Sequence, residues 1–140
     1  MVLFSGCGHA NNAGDERVAM QITCTNNLKQ IGLGFALWSG DHGDKNPFDV
    51  STNEGGIKEL VGVKNGWRQN GYLIFKAMSN ELTLPTIVIC PQDRARQPVL
   101  SWAALTQSNV TYVFPDSSNV LVVCPIDGNV LYRDGSVGQR

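Results

Sequence analysis

The sequence predicts an α+β protein in which one long N-terminal helix packs on a small antiparallel sheet. Two patterns lead to this fold class. Apolar side chains between Cys24 and Trp38 alternate at spacings of four and three residues, which is the period of one buried helix face. After Leu84 the apolar residues form short runs rich in β-branched and aromatic side chains, which are typical of strands.

The helix is predicted to cover residues 15–39. Asp15 and Glu16 suit the positive end of the helix dipole, and Gly40 offers a C-terminal stop. The residues expected to form its buried stripe, packed against the sheet, are Leu28, Ile31, Phe35 and Trp38.

Two glycines, Gly32 and Gly34, lie inside this helix. Each costs about 1 kcal/mol relative to alanine in a helix interior. We therefore expect a strand or a second helix to pack closely against the backbone at this turn.

The segment after the long helix is predicted to be a loop, and residues 51–68 carry only weak signals. Residues 39–47, SGDHGDKNP, are rich in turn-forming residues and end in proline. The acidic and amide residues in and just after this loop do not have the spacing of an EF-hand, which favours a solvated turn over a calcium site. A second helix is predicted at Asn70–Leu82.

The second half of the chain is predicted to form the sheet. Asp127-Gly128 and Asp134-Gly135 are favoured dipeptides for hairpin turns. Residues 100–105 are expected to form one helical turn. The predicted strands are 86–90, 109–114, 119–124 and 129–133.

Length and composition indicate one globular domain. The chain has 140 residues, 42% of them hydrophobic and 16% charged, with a net charge of −1. We predict a flexible lead at 1–14 and a single domain at 15–140. The scattered basic residues predict no nucleic-acid partner, and no stretch has the length of apolar sequence that a membrane span needs.

Catalytic and nucleotide-binding motifs are absent from the sequence. It contains no Gly-x-Ser-x-Gly, no P-loop, no His-Glu-x-x-His and no dinucleotide-binding fingerprint after a strand. A catalytic cysteine would need a histidine, and nothing ties His42 to any particular cysteine. We expect no enzymatic activity and no cofactor.

A Cys-Pro-x-Asp unit occurs twice, at Cys90–Asp93 and at Cys124–Asp127. The related Cys-Pro-x-Cys units of zinc ribbons supply paired thiolates, but here the last position is aspartate in both copies. The units therefore have three interpretations: strand ends with free cysteines, strand ends joined by a disulfide, or a metal site with two cysteines and two aspartates. We predict no metal, because aspartate-rich closed sites are uncommon and no histidine lies near either copy in the sequence.

Three blocks of the sequence resemble bacterial type IV pilin-like proteins, and among these the type II secretion pseudopilin-like families. The first is CTNNLKQIGLGFALWSGDHGDKNP at 24–47, which resembles the segment that follows the membrane-spanning half of the first helix in those proteins. The others are SNELTLPTIVICPQD at 79–93 and GNVLYRDGSV at 128–137. Together the blocks cover about a third of the chain, in the order of the family.

The resemblance implies a non-enzymatic, exported filament subunit of the bacterial cell envelope, either periplasmic, in the outer membrane or at the cell surface. Its implied partners are other pilin-like subunits or envelope proteins. Export also favours Cys90 and Cys124 as a disulfide pair, because exported proteins meet an oxidising compartment and both residues end predicted strands.

The chain departs from the family at its N-terminus. Where the family has a long apolar anchor, this chain reads MVLFSGCGHANNAGDERVAM. In one alternative, the anchor has been removed. In the other, the globular head domain is used as a free-standing binding module or as an envelope lipoprotein with a lipid on Cys7. In both, membrane contact depends on a missing anchor or on a lipid. We expect this chain alone to be soluble and not to form filaments.

Overall fold

A single long helix is the largest element of the molecule. The computed structural model describes residues 12–140, and the helix, α1, runs from Asn12 to Gly40. It begins three residues before the predicted start and includes the end of the predicted lead, whose other residues lie outside the described range. Asp15 lies in its first turn, where a carboxylate interacts favourably with the helix dipole. The α+β class with a long N-terminal helix is confirmed.

One face of α1 is buried. The stripe predicted from the sequence has very low exposure, and Phe35 contacts two aromatic rings edge-on, at 6.3 Å from Phe48 and 6.2 Å from Phe114 between ring centroids. Cys24 extends the same face by one turn toward the N-terminus. The buried residues of this face are Cys24, Leu28, Ile31, Phe35 and Trp38.

The two helix glycines lie where other elements approach the backbone of α1. A Cβ atom at Gly32 would come within 2.9 Å of the Leu131 side chain, and one at Gly34 within 2.5 Å of Leu82. The close packing expected at this turn is therefore present, and it comes from the sheet on one side and from the segment after the second helix on the other.

The middle of the chain is built from short elements. Three 3₁₀ helices, at Pro47–Asp49, Thr52–Glu54 and Lys58–Leu60, precede a two-stranded ribbon of β1, Val63–Lys64, and β2, Trp67–Arg68. The second helix, α2, runs from Gly71 to Ala77, which is shorter than the predicted Asn70–Leu82. The chain continues past α2 in turns, and there Met78 and Leu82 still reach the core.

The main sheet has three antiparallel strands in the order β3-β4-β5. The predicted strands 119–124 and 129–133 correspond to β3 and β4, and β5 was not predicted. Gly128 and Gly135 adopt positive φ angles of 81° and 91°, as the predicted Asp-Gly turns require. The strand bounds are Val120–Val123, Asn129–Tyr132 and Val137–Gln139.

Two of the predicted strands are not strands. Residues 86–90 lie mostly in a 3₁₀ helix at Pro85–Val88, where the proline occupies the first turn and fixes its φ angle in the helical range. Residue 109 ends a 3₁₀ helix at Gln107–Asn109, and residues 110–114 form one isolated bridge, in which Val113 exchanges two backbone hydrogen bonds with Val123. The predicted helical turn is present at Trp102–Ala104.

Candidate functional site

The main candidate site is a buried group of three thiols and one carboxylate. The sulfur atoms of Cys24, Cys90 and Cys124 and a carboxylate oxygen of Asp127 all lie within 4.8 Å of one another. The three cysteines are free and fully buried, and Asp127 is half-buried. We call these four residues the cysteine–aspartate cluster.

The cluster joins three parts of the chain that are distant in sequence. Cys24 comes from the buried face of α1, Cys90 follows the 3₁₀ helix at 85–88, and Cys124 directly follows β3. Residues 110–114 lie between the last two, since the Thr111 N–H donates to the Val88 carbonyl while Val113 pairs with β3. The side chain of Thr111 also accepts a hydrogen bond from the Cys90 N–H at 3.0 Å.

The turns after the two cysteines hold the backbone of each cysteine. The Asp93 N–H donates to the Cys90 carbonyl at 2.9 Å, and the Gly128 N–H donates to the Cys124 carbonyl at 3.0 Å. Each cysteine is therefore fixed by the turn that follows it.

Side chains around the cluster complete its hydrogen bonding. The Tyr112 hydroxyl donates to the Cys24 sulfur at 3.3 Å. Asn129 donates to Asp127 through its backbone N–H at 3.0 Å and through its side-chain amide at 3.2 Å. Gln139 donates to the Asn129 side-chain oxygen at 2.7 Å, which fixes the orientation of that amide.

The neighbouring thiols shift one another's pKa values. Hydrogen bonds from the thiols of Cys124 and Cys90, assisted by the Tyr112 hydroxyl, lower the pKa of Cys24 well below that of an ordinary thiol. The hydrogen bond to Cys24 raises the pKa of Cys124, since Cys124 must keep its proton to donate it. Burial raises the pKa of Asp127, although the Asn129 N–H opposes that shift.

The cysteine predictions are met only in part. Cys90 and Cys124 are brought together, but among the described residues both are free, so the structure does not contain the predicted disulfide. Cys24 enters the same space, so three sulfur atoms lie together there instead of the predicted two. Cys7, the predicted lipidation site, lies outside the described residues.

The two Cys-Pro-x-Asp units are not equivalent. Asp127 belongs to the cluster, whereas Asp93 accepts a hydrogen bond from the Thr111 hydroxyl at 2.8 Å and pairs with Arg96 at 3.3 Å. Asp93 therefore supports the turn, as the sequence interpretation of strand exits proposed. Sequence reasoning did not include Cys24 in the site, because nothing in the sequence links the start of the helix stripe to the Cys-Pro-x-Asp units.

His42 packs against the end of α1. Its ring stacks on that of Trp38, with centroids 3.5 Å apart, and its Nδ1 atom lies 2.7 Å from the Trp38 carbonyl oxygen. These contacts make His42 a structural part of the turn that ends the helix.

The Tyr112 hydroxyl provides a test of the packing around the cluster. This side chain is fully buried, and besides donating to Cys24 it lies 3.5 Å from the Asn27 amide. Replacing Tyr112 with phenylalanine removes this buried hydrogen bond to the Cys24 sulfur, so we expect the free energy of unfolding in urea to fall by about 0.5–1.5 kcal/mol. Tyr132→Phe, at a half-buried position, is the matched control; an equal loss in both variants would contradict the role assigned to the Tyr112 hydroxyl.

Comparison of the chain with protein-family models, with curated proteins and with solved structures gives no match. Within residues 12–140, none of the helices combines the length and the apolar character required to cross a membrane.

Proposed function

We propose that this chain is a non-enzymatic, pilin-like structural subunit that is exported and associated with type II secretion or type IV pili. The observation that carries the proposal is the difference in burial between the two ends of α1. Its second half is buried against the sheet, whereas residues 14–19 at its N-terminal end are all exposed. A helix that is embedded in a head at one end and free at the other suits a subunit that is joined to its neighbours through that helix.

The length of α1 supports this arrangement. Its 29 residues correspond to about 43 Å at about 1.5 Å per residue. The buried face begins at Cys24, so residues 12–23 extend about 18 Å beyond it. This extension has the position that the filament-forming half of the helix has in the family that the sequence resembles.

The outer face of α1 also carries apolar side chains. Val18, Ile22, Leu33 and Leu37 are each at least half exposed, and they lie on the side of the helix opposite the buried stripe. A helix whose only partner is its own sheet normally has a polar outer face. Exposed apolar residues on this face fit contacts with other pilin-like subunits or envelope proteins.

Photo-crosslinking in the source cell tests the proposal. A photoreactive phenylalanine analogue is placed at Ile22 or at Leu33, and the products are identified by mass spectrometry after irradiation. We expect adducts with further copies of this chain or with other pilin-like subunits. Leu100, which is 93% exposed in a loop, is the matched control position and should give at least tenfold fewer of these adducts.

Two results would contradict the proposal. One is equal crosslinking from Leu100 and from the helix positions, which would indicate unspecific collisions. The other is the recovery of adducts from α1 that contain only soluble enzymes, because a structural subunit of a filament should meet its own assembly partners first.

A further inference from the structure

We propose that the cysteine–aspartate cluster is a structural zinc site, in which three thiolates and one carboxylate bind a single Zn²⁺ ion. The ligands are Cys24, Cys90, Cys124 and Asp127. Four donor atoms on three separate segments, all within 4.8 Å of one another, form the set that a four-coordinate ion requires.

The distances suit a tetrahedral ion. Zinc–sulfur bonds of about 2.3 Å place neighbouring ligand atoms of a tetrahedron about 3.8 Å apart. The Cys90 sulfur and the Asp127 oxygen are 3.7 Å apart, and the longest separation in the cluster, 4.8 Å, needs to shorten by only about 1 Å.

Among the described residues, the groups that donate hydrogen bonds to the cluster from outside it are neutral: the Tyr112 hydroxyl, and the backbone N–H and side-chain amide of Asn129. Neutral donors orient and stabilise thiolates but do not neutralise them. Burying several anionic ligands is costly without a positive charge among them, and a divalent ion supplies that charge while the thiol protons leave for solvent.

The donor types select zinc. Thiolates disfavour calcium and magnesium, which take oxygen ligands, and a carboxylate is a poor ligand for Cu(I). The three cysteines are fully buried and the fourth position is filled by a protein carboxylate, so the coordination is closed. Closed tetrahedral coordination is typical of structural zinc and leaves no position for a substrate.

A zinc ion at this place would fix α1 to the sheet. Cys24 anchors the helix near the point where its buried face begins, while Cys124 and Asp127 belong to the β3–β4 turn. Asp127 also receives two hydrogen bonds from Asn129, and such partners hold a ligand in its coordinating orientation. The ion would thus connect the end of the buried stripe with both the hairpin and the segment around Cys90.

This inference departs from the expectation of no metal drawn from the sequence. That expectation considered two cysteines and two aspartates, one pair from each Cys-Pro-x-Asp unit. The structure replaces Asp93 with the Cys24 thiol, and a site with three thiolates and one carboxylate is close in composition to the ordinary structural zinc sites.

The test is to measure zinc in the full chain, purified without a polyhistidine tag and without chelators. Elemental analysis should give one zinc per chain. Cys90→Ser should lose stoichiometric zinc, and Asp127→Asn should bind it at least about tenfold more weakly in competition with a chromophoric chelator. Asp93→Asn, which alters the same position of the other Cys-Pro-x-Asp unit, is the matched control and should retain one zinc.

Cobalt provides a readout that does not depend on the stability of the variants. The Co²⁺-loaded wild-type chain should show thiolate-to-cobalt charge-transfer absorption and the visible bands of a tetrahedral ion, and Asp127→Asn should shift those bands. Circular dichroism establishes which variants are folded, so that a loss of zinc through unfolding is not counted as support.

Three outcomes would overturn the proposal. The first is a wild-type chain with all thiols reduced and no zinc after exposure to equimolar Zn²⁺. The second is equal zinc binding in the wild type, Cys90→Ser and Asp127→Asn. The third is a disulfide between two of the three cluster cysteines in protein isolated from its native compartment, detected by mass spectrometry in a Cys7→Ser background.

Discussion

Replacing Phe35 with alanine is expected to lower the free energy of unfolding by about 3–5 kcal/mol. The side chain is only 3% exposed and lies at the middle of the buried stripe of α1. It joins three parts of the molecule, since its ring contacts Phe48 from the 3₁₀ helices and Phe114 from the extended segment beside the sheet. Truncation removes the buried ring and leaves a cavity. The surrounding elements relax only partly into such a cavity.

Urea denaturation followed by circular dichroism measures this loss. Leu37→Ala is the matched control, because Leu37 lies on the same helix but is 51% exposed. Its stability should stay within about 0.5 kcal/mol of the wild type. If the two variants lost the same stability, the assignment of the buried and exposed faces of α1 would be contradicted.

The helix was predictable because its signal is local. The spacing from Cys24 to Trp38 matches the helical period, and a side chain at each of those positions faces the same side whatever it packs against. The two hairpin turns were predictable for a similar reason, since an Asp-Gly dipeptide selects the turn geometry on its own. Each of these features depends on a few neighbouring residues.

The conformations of the segments at 86–90 and 109–114 were not predictable from the sequence. Their composition is that of strands, but Pro85 begins a 3₁₀ helix in the first, and the second pairs with the sheet only at the isolated bridge between Val113 and Val123. Whether an apolar run forms a strand that is hydrogen-bonded in a sheet depends on which other segments lie beside it. Composition alone does not contain that information.

The candidate site illustrates the same limit. The repeated Cys-Pro-x-Asp units drew attention to Cys90 and Cys124, and the structure does bring those two sulfur atoms together. The third thiol belongs to a helix more than sixty positions before Cys90, and only the packing of α1 on the sheet places it there. A buried cysteine in an apolar stripe packs well as a hydrophobic residue, so its identity gave no reason to pair it with the other two.

A second large effect is expected at Gly56, between the 3₁₀ helices at Thr52–Glu54 and Lys58–Leu60. A Cβ atom at this position would lie 2.0 Å from the carbonyl oxygen of Val50 and 2.6 Å from its Cβ. The Val50 carbonyl accepts a hydrogen bond from the Lys58 N–H at 3.0 Å, and Gly56 itself donates to the Ser51 carbonyl at 2.9 Å. The obstacle is therefore backbone that is held on both sides, and it cannot rotate away as the end of a long side chain can.

Gly56→Ala should consequently destabilise the protein by about 3 kcal/mol, the upper end of the usual cost of overpacking. Gly62→Ala is the matched control, because a Cβ atom there would meet nothing within 4 Å and the φ angle of Gly62 is not positive. An alanine at such a position restricts the unfolded chain, so the control should be neutral or stabilised by up to about 1 kcal/mol. Thermal unfolding of both variants measures the difference. If the midpoint temperature of Gly56→Ala equalled that of Gly62→Ala, the close contact between residues 50 and 56 would be contradicted.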